Sequence, residues 1–101
     1  MTVAILNTIA ATVARLEAVD ADLQRRIVSF AGRSIRPLEV VKDALSLIPN
    51  GFSWGAGAGE GFWARLAPRA HAAEITTSPH LAFAITASAL WAVVAARKKA
   101  A

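Results

Sequence analysis

The chain carries an uncharged segment that runs from Ile75 to Ala96 and ends at the basic cluster Arg97, Lys98 and Lys99. An apolar helix of about 20 residues is long enough to cross the hydrocarbon core of a bilayer. A basic cluster directly behind such a helix is typical of a cytoplasmic membrane boundary. The segment therefore predicts a hydrophobic C-terminal helix, which restricts how the rest of the chain can pack.

We expect this helix to have Ser78 as its N-cap and Pro79 as its first residue, because the first turn leaves an N–H unpaired that proline lacks. Its hydrophobicity is modest, since alanine contributes little to membrane insertion and His80, Thr86 and Ser88 oppose it. The sequence leaves two interpretations open: a helix embedded in lipid, and a helix buried in a protein assembly.

One side of the C-terminal helix carries small residues at every fourth position. This spacing places them on one stripe, on which the backbone of another helix can approach closely. The stripe consists of Ala84, Ser88, Ala92 and Ala96. Alanine makes up 24 of the 101 residues, so part of this regularity arises by chance. We interpret the stripe as a helix-packing surface.

The N-terminal region predicts a long amphipathic helix from about residue 3 to residue 30. Its apolar residues alternate between spacings of three and four, as in the heptad seam of a packed helix. The seam consists of Leu6, Ile9, Val13, Leu16, Leu23, Ile27 and Phe30. Asp20 interrupts it, either as a buried carboxylate that needs a partner or as the N-cap of a second helix that Gly32 ends.

A further helix is predicted from Pro37 to Ile48, and a glycine-rich segment follows it. Proline at the start and the Pro49-Asn50-Gly51 turn define the ends of this helix. Five of the six glycines lie between residues 51 and 61, at alternate positions from residue 55 onward. Because each glycine costs a helix about 1 kcal/mol relative to alanine, the segment predicts a flexible connector or a backbone that another group approaches closely.

Aromatic side chains and arginine surround the glycine-rich segment. This combination is typical of a membrane–water boundary and also of protein interfaces, and rings that complete the core under a loop are a third interpretation. The residues assigned to a membrane boundary or a partner contact are Trp54, Phe62, Trp63, Arg65, Arg97, Lys98 and Lys99.

No chemical site is predicted. The chain has no cysteine, and its two histidines, His71 and His80, form no recognisable metal-ligand pattern. No serine has a histidine and an acid arranged around it, and the glycine-rich segment lacks the strand and the lysine of a phosphate-binding loop. We therefore expect no enzymatic activity, no cofactor and no metal.

The overall composition predicts a covered apolar surface. The chain is 55% hydrophobic and 18% charged, whereas ordinary soluble domains have about 45–50% and 25%. We expect lipid or other subunits to cover the difference. The net charge is +4, and the positive residues are scattered along the chain apart from the C-terminal cluster. Such a distribution does not favour nucleic-acid binding.

Together these patterns predict an all-α protein with a long N-terminal helix, a short middle helix, a loop rich in glycine and aromatic residues, and a hydrophobic C-terminal helix. The predicted regions are an amphipathic helical region over residues 1–50, a connector over 51–78, and the C-terminal helix with its basic tail over 79–101.

The function we expect is that of a non-enzymatic structural subunit. It would pack helix to helix with copies of itself or with larger protein partners, in contact with lipid. We expect it at a membrane with a cytoplasmic C-terminus, or inside a virion or filament. Two alternatives follow from the same pattern: a coat or pilin-like subunit of a virion or filament, and a holin-type lysis membrane protein.

Overall fold

The chain folds around its C-terminal helix. The structure, a computed structural model, describes residues 2–67 and 76–100, without the side chains of Lys99 and Ala100. The elements in these ranges are α1 (Val3–Arg15), α2 (Ala21–Ala31), α3 (Val41–Leu45), β1 (Ser53–Ala58), β2 (Phe62–Ala67), β3 (Thr76–Ser78) and α4 (Leu81–Ala100). The strands form one antiparallel sheet in the order β1-β2-β3.

The prediction of an all-α fold is wrong, because the protein is α+β. The segment expected to be a loop rich in glycine and aromatic residues forms the hairpin of β1 and β2. Low helix propensity correctly excluded a helix there, but it does not distinguish a loop from a strand. Residues 68–75, which include Ile75 and His71 of the sequence analysis, lie outside the described residues.

The predicted long N-terminal helix is interrupted between α1 and α2. Leu16 follows α1 in an extended conformation, with φ −64° and ψ 140°. Asp20 caps α2, because its Oδ1 accepts a hydrogen bond of 3.0 Å from the backbone N–H of Leu23. Gly32 ends α2 in the left-handed conformation, with φ 73°, and its N–H donates to the Val28 carbonyl. The N-cap interpretation of Asp20 and the predicted stop at Gly32 are confirmed.

The predicted helix over residues 37–48 is shorter than expected, since α3 spans Val41–Leu45 with turns on both sides. Val40 occupies the N-cap position and has no side-chain oxygen to cap the helix. The turn before α3 is held from within the helix, where the Asp43 carboxylate accepts a 2.8 Å hydrogen bond from the N–H of Arg36.

α4 lies at the centre of the core, with α1, α3 and the sheet packed around it. Every residue from Ala82 to Leu90 is buried. A helix enclosed on all sides needs no polar face, which explains why its sequence resembles that of a membrane helix. The window Leu81–Lys98 does meet the length and composition criteria for a membrane span, and 61% of it is buried inside the chain. A core helix of a water-soluble protein meets the same criteria.

Two buried hydroxyl groups of α4 have hydrogen-bond partners in the same chain. Thr86 Oγ1 donates to the carbonyl oxygen of Pro37 at 3.2 Å, and Ser88 Oγ donates to that of Ala64 in β2 at 3.4 Å. Across the described ranges, no buried side-chain nitrogen or oxygen lacks a partner. Polar residues that oppose membrane insertion thus fix α4 to the segment before α3 and to the sheet.

α4 begins at Leu81, two residues later than the sequence predicts. Pro79 precedes the helix, and Ser78, the last residue of β3, accepts a 3.2 Å hydrogen bond from the His80 N–H. His80 Nε2 also lies 2.7 Å from the carbonyl oxygen of Glu17. These contacts join the start of α4 to β3 and to the linker between α1 and α2.

The cap of α2 gives a test of this description. We expect Asp20→Ala to lower the free energy of unfolding by about 1 kcal/mol, because it removes the capping oxygen, whereas Asp20→Asn keeps one and has nearly no effect. Urea denaturation followed by circular dichroism measures both variants. If both variants lost the same free energy of unfolding, the hydrogen bond of the cap would not be the cause, and the loss would come from the charge of the carboxylate.

Candidate protein-binding edge of the sheet

The residues predicted to pack against other helices have their packing partners inside this chain. The buried members of the seam are Leu6, Ile9, Val13, Leu23 and Ile27, and its half-buried members are Leu16 and Phe30. The buried members of the stripe are Ala84, Ser88 and Ala92, and its exposed member is Ala96. A contact with another chain therefore needs other parts of the surface.

The residues predicted for a membrane boundary or a partner contact are divided between the sheet and the end of α4. At the end of α4, the Arg97 guanidinium lies 5.5 Å from the centre of the Phe30 ring, and Lys98 is exposed. This cation–π contact joins α4 to α2. The side chain of Lys99 lies outside the described residues. The members that the sheet brings together are Trp54 on β1 and Phe62, Trp63 and Arg65 on β2.

β2 is the middle strand, and it determines the two faces of the sheet. Ala64 and Leu66 are buried on the face toward α4. Directly opposed residues of antiparallel strands lie on the same face. Ala56 opposes Ala64 and packs with it in one buried cluster, whereas Gly55 and Gly57 belong to the outer face. The alternation in the sequence thus puts alanine toward the helix and glycine outward.

The glycine at position 57 makes room for Trp63. The two residues oppose each other in the register of β1 and β2. A Cβ atom on Gly57 would lie 2.7 Å from atoms of the Trp63 indole, which is closer than van der Waals contact allows. The ring therefore lies directly on the backbone of β1. Of the two interpretations of this segment, the closely approached backbone is confirmed, and the approaching group is Trp63.

β1 forms an open edge of the sheet. β2 pairs with one side of β1, and no strand in the described ranges pairs with the other side. The pairing with β2 is regular along the whole of β1, without a bulge. The strand contains no charged residue and no proline. Edge strands are normally protected by charges, prolines, bulges or very short length, and β1, with six residues, has none of these devices.

Trp54 is the most exposed large apolar side chain in the described part of the chain, at 54%. It opposes the buried Leu66 and so belongs to the α4 face of β1. Its exposure shows that α4 does not cover it. An exposed tryptophan beside an open strand edge is typical of a protein-binding surface, because tryptophan is enriched among the residues that dominate interface affinity.

A cleft of about 610 Å³ lies between the end of α1 and the turn of the hairpin. Its walls include Arg15, Glu17, Glu60 and the rings of Phe62 and Trp63. Its charged lining consists of one arginine and two glutamates, so that it is no anion-binding site. Among the described residues, no three His, Asp or Glu side chains lie close enough together to hold a metal ion.

Comparisons of this chain with protein-family models, with curated proteins and with solved structures find no match.

The sequence predicts Trp54 as a membrane-boundary or partner contact, but it does not predict the strand β1 that carries this residue. Glycine and alanine are both depleted in strands, so their presence argued against one. The available signal was the period-two alternation of Gly55, Ala56, Gly57 and Ala58, which is the side-chain period of a strand.

The contact between Trp63 and β1 gives a second test. We expect Gly57→Ala to lower the free energy of unfolding by about 1 kcal/mol or more, because the new Cβ overpacks against the indole ring. Gly59→Ala is the matched control, since a Cβ there meets nothing within 4 Å and its φ is not positive. Urea denaturation of both variants measures the difference. A loss at position 59 as large as that at position 57 would contradict the close contact.

Proposed function

We propose that this chain is a non-enzymatic structural subunit that works by assembling with copies of itself, with the open edge of β1 as its binding surface. The observation that carries this proposal is the regular, uncharged edge beside the exposed Trp54. Backbone N–H and C=O groups along such an edge can pair with an extended strand of another chain. Main-chain hydrogen bonds then supply affinity, and side chains such as Trp54 supply specificity.

The position of α4 supports an assembly of folded subunits in water. To cross a bilayer, α4 would have to leave α1 and the sheet, with which it shares the core. Its hydroxyl groups at Thr86 and Ser88 would then lose the carbonyl partners that they have in the fold. In hydrocarbon these hydroxyl groups could bond to carbonyl groups of their own helix, but the bonds that join α4 to the rest of the fold would be lost. The apolar side chains that would contact lipid are already covered by protein.

A coat or filament subunit is a second candidate function. The sheet has two edges, β1 and β3, and a contact between unlike edges of successive copies would propagate without closing. β3 is a small edge, because it spans three residues and packs against α1. A closed assembly through β1 therefore ranks above an open filament.

The proposal is tested on the full-length chain in detergent-free buffer. We expect sedimentation velocity to show reversible assemblies whose population rises with protein concentration. In a flotation experiment with vesicles of neutral and anionic phospholipids, we expect the protein to stay in the aqueous fraction. A membrane-bound subunit or a holin-type protein would float with the vesicles, and a filament subunit would sediment as a continuous series of large species. A monomer at every concentration would contradict the proposal.

A further inference from the structure

We infer that the strand which pairs with the β1 edge is β1 of a second copy of this chain, in an antiparallel arrangement about a two-fold axis at Ala56. This inference rests on the proposed function, and it specifies the partner and the register of that contact. The result would be one continuous sheet of six strands across two subunits.

The symmetry restricts the possible registers. A two-fold axis perpendicular to the sheet makes two edge strands antiparallel and keeps the α4 faces of both sheets on one side. Because opposed residues share a face, residues of the α4 face must oppose each other, and so must those of the outer face. In a strand of six residues, the registers centred on Gly55 and on Ala56 satisfy this condition with the most residue pairs.

Exposure distinguishes the two registers. Centred on Ala56, the register opposes Trp54 of one copy to Ala58 of the other, and both residues are exposed. The axis repeats this pair, so that two exposed tryptophans are covered at once. Centred on Gly55, the register would oppose Trp54 to Ala56, which already packs against a buried cluster that includes Ala84 of α4. The Ala56 register therefore covers more free apolar surface.

Charge at the edge itself does not oppose a second copy as the partner. β1 carries no charge of its own, so two copies approach without repulsion at the edge. The nearest charged side chain within the sheet is Arg65, which opposes Gly55 on β2. In the paired dimer, the two Arg65 residues would be three strand spacings apart across the sheet and two residues apart along the strand, about 16 Å in all. That distance exceeds the Debye length of about 8 Å at physiological ionic strength, and screening removes most of their repulsion.

The register is tested by distance measurement between spin labels. The chain has no cysteine, so that Ser53→Cys introduces one labelling site at the exposed start of β1. In the register centred on Ala56, residue 53 of one subunit lies six residues along the strand from residue 53 of the other. The rise per residue of a strand then gives a Cβ separation of about 20 Å. Centred on Gly55, the offset is four residues and the separation is about 14 Å.

A second label checks the arrangement from the neighbouring strand. Ala67 opposes Ser53 on β2 and is exposed. With the Ala56 register, labels at Ala67→Cys would be separated by three strand spacings and by the same offset along the strand, about 25 Å. Pulsed electron–electron double resonance measures the distance distribution between the two labels of a dimer. For each labelled variant we expect a single maximum near these values, after allowance for the length of the label.

The edge is tested by a matched pair of charge variants. Gly55→Lys places a charge on β1, where a Cβ has ordinary contacts of 3.9 Å with Trp63 and Arg65. Because the new charge opposes Arg65 within the same subunit, urea denaturation first checks that the variant is folded. Ala67→Lys places the same charge on the same face of β2, away from the edge. We expect the dimer dissociation constant to rise about tenfold or more for Gly55→Lys, as for a central interface residue, and to stay nearly unchanged for Ala67→Lys.

The outcomes separate this inference from the proposed function. Assemblies with a Ser53 separation near 14 Å, or without a single maximum, would overturn the Ala56 register and keep the edge as a binding surface. A dimer that is insensitive to Gly55→Lys would overturn the edge contact itself. Protein that is monomeric at every concentration would overturn both.

Discussion

The fold depends on the burial of α4 by the rest of its own chain. Helices cover it on one side and the sheet covers it on the other. Since the hydrophobic effect is proportional to the apolar area removed from water, this enclosure is the dominant stabilising contribution that the chain can make. It also explains the sequence of α4, because a helix surrounded by protein and a helix surrounded by lipid both lack a polar face.

The apolar excess of the composition has the same explanation. In the described part of the chain, the large hydrophobic residues with high exposure are Ile5, Val19, Val41 and Trp54. The others are buried or half-buried. A central helix without a solvent face raises the apolar fraction of a small protein without adding exposed apolar surface, so composition by itself does not require lipid or further subunits to cover it.

The helices were predictable to the extent that their signals are local. The seam from Leu6 to Ile27 indicated which face is buried, and the conformational preferences of Asp20 and Gly32 marked the ends of α2. The length of α4 followed from its uncharged sequence. What surrounds α4 was not predictable, because an apolar stripe shows that a surface is covered but not whether lipid, a second subunit or the same chain covers it.

The sheet was hidden for a different physical reason. A strand is recognised by the contrast between apolar and polar residues at period two, and β1 has almost none, since after Ser53 and Trp54 its two faces consist of glycine and alanine. On β2 the outer face carries Trp63 and Ala67 beside Arg65, so that a single polar residue marks the alternation. The candidate site was therefore predicted only as separate aromatic residues.

The ring of Trp63 has a further consequence for the strand on which it lies. A free segment of glycine and alanine populates many backbone conformations, and ordering it on binding would cost about 1–2 kcal/mol per residue in entropy. β1 is not free, because it pairs with β2 along its whole length and the indole lies against one face at Gly57, so it is already extended before any contact forms. Trp63 would thus help to preorganise the strand, which lowers the entropic cost of forming main-chain hydrogen bonds at the edge.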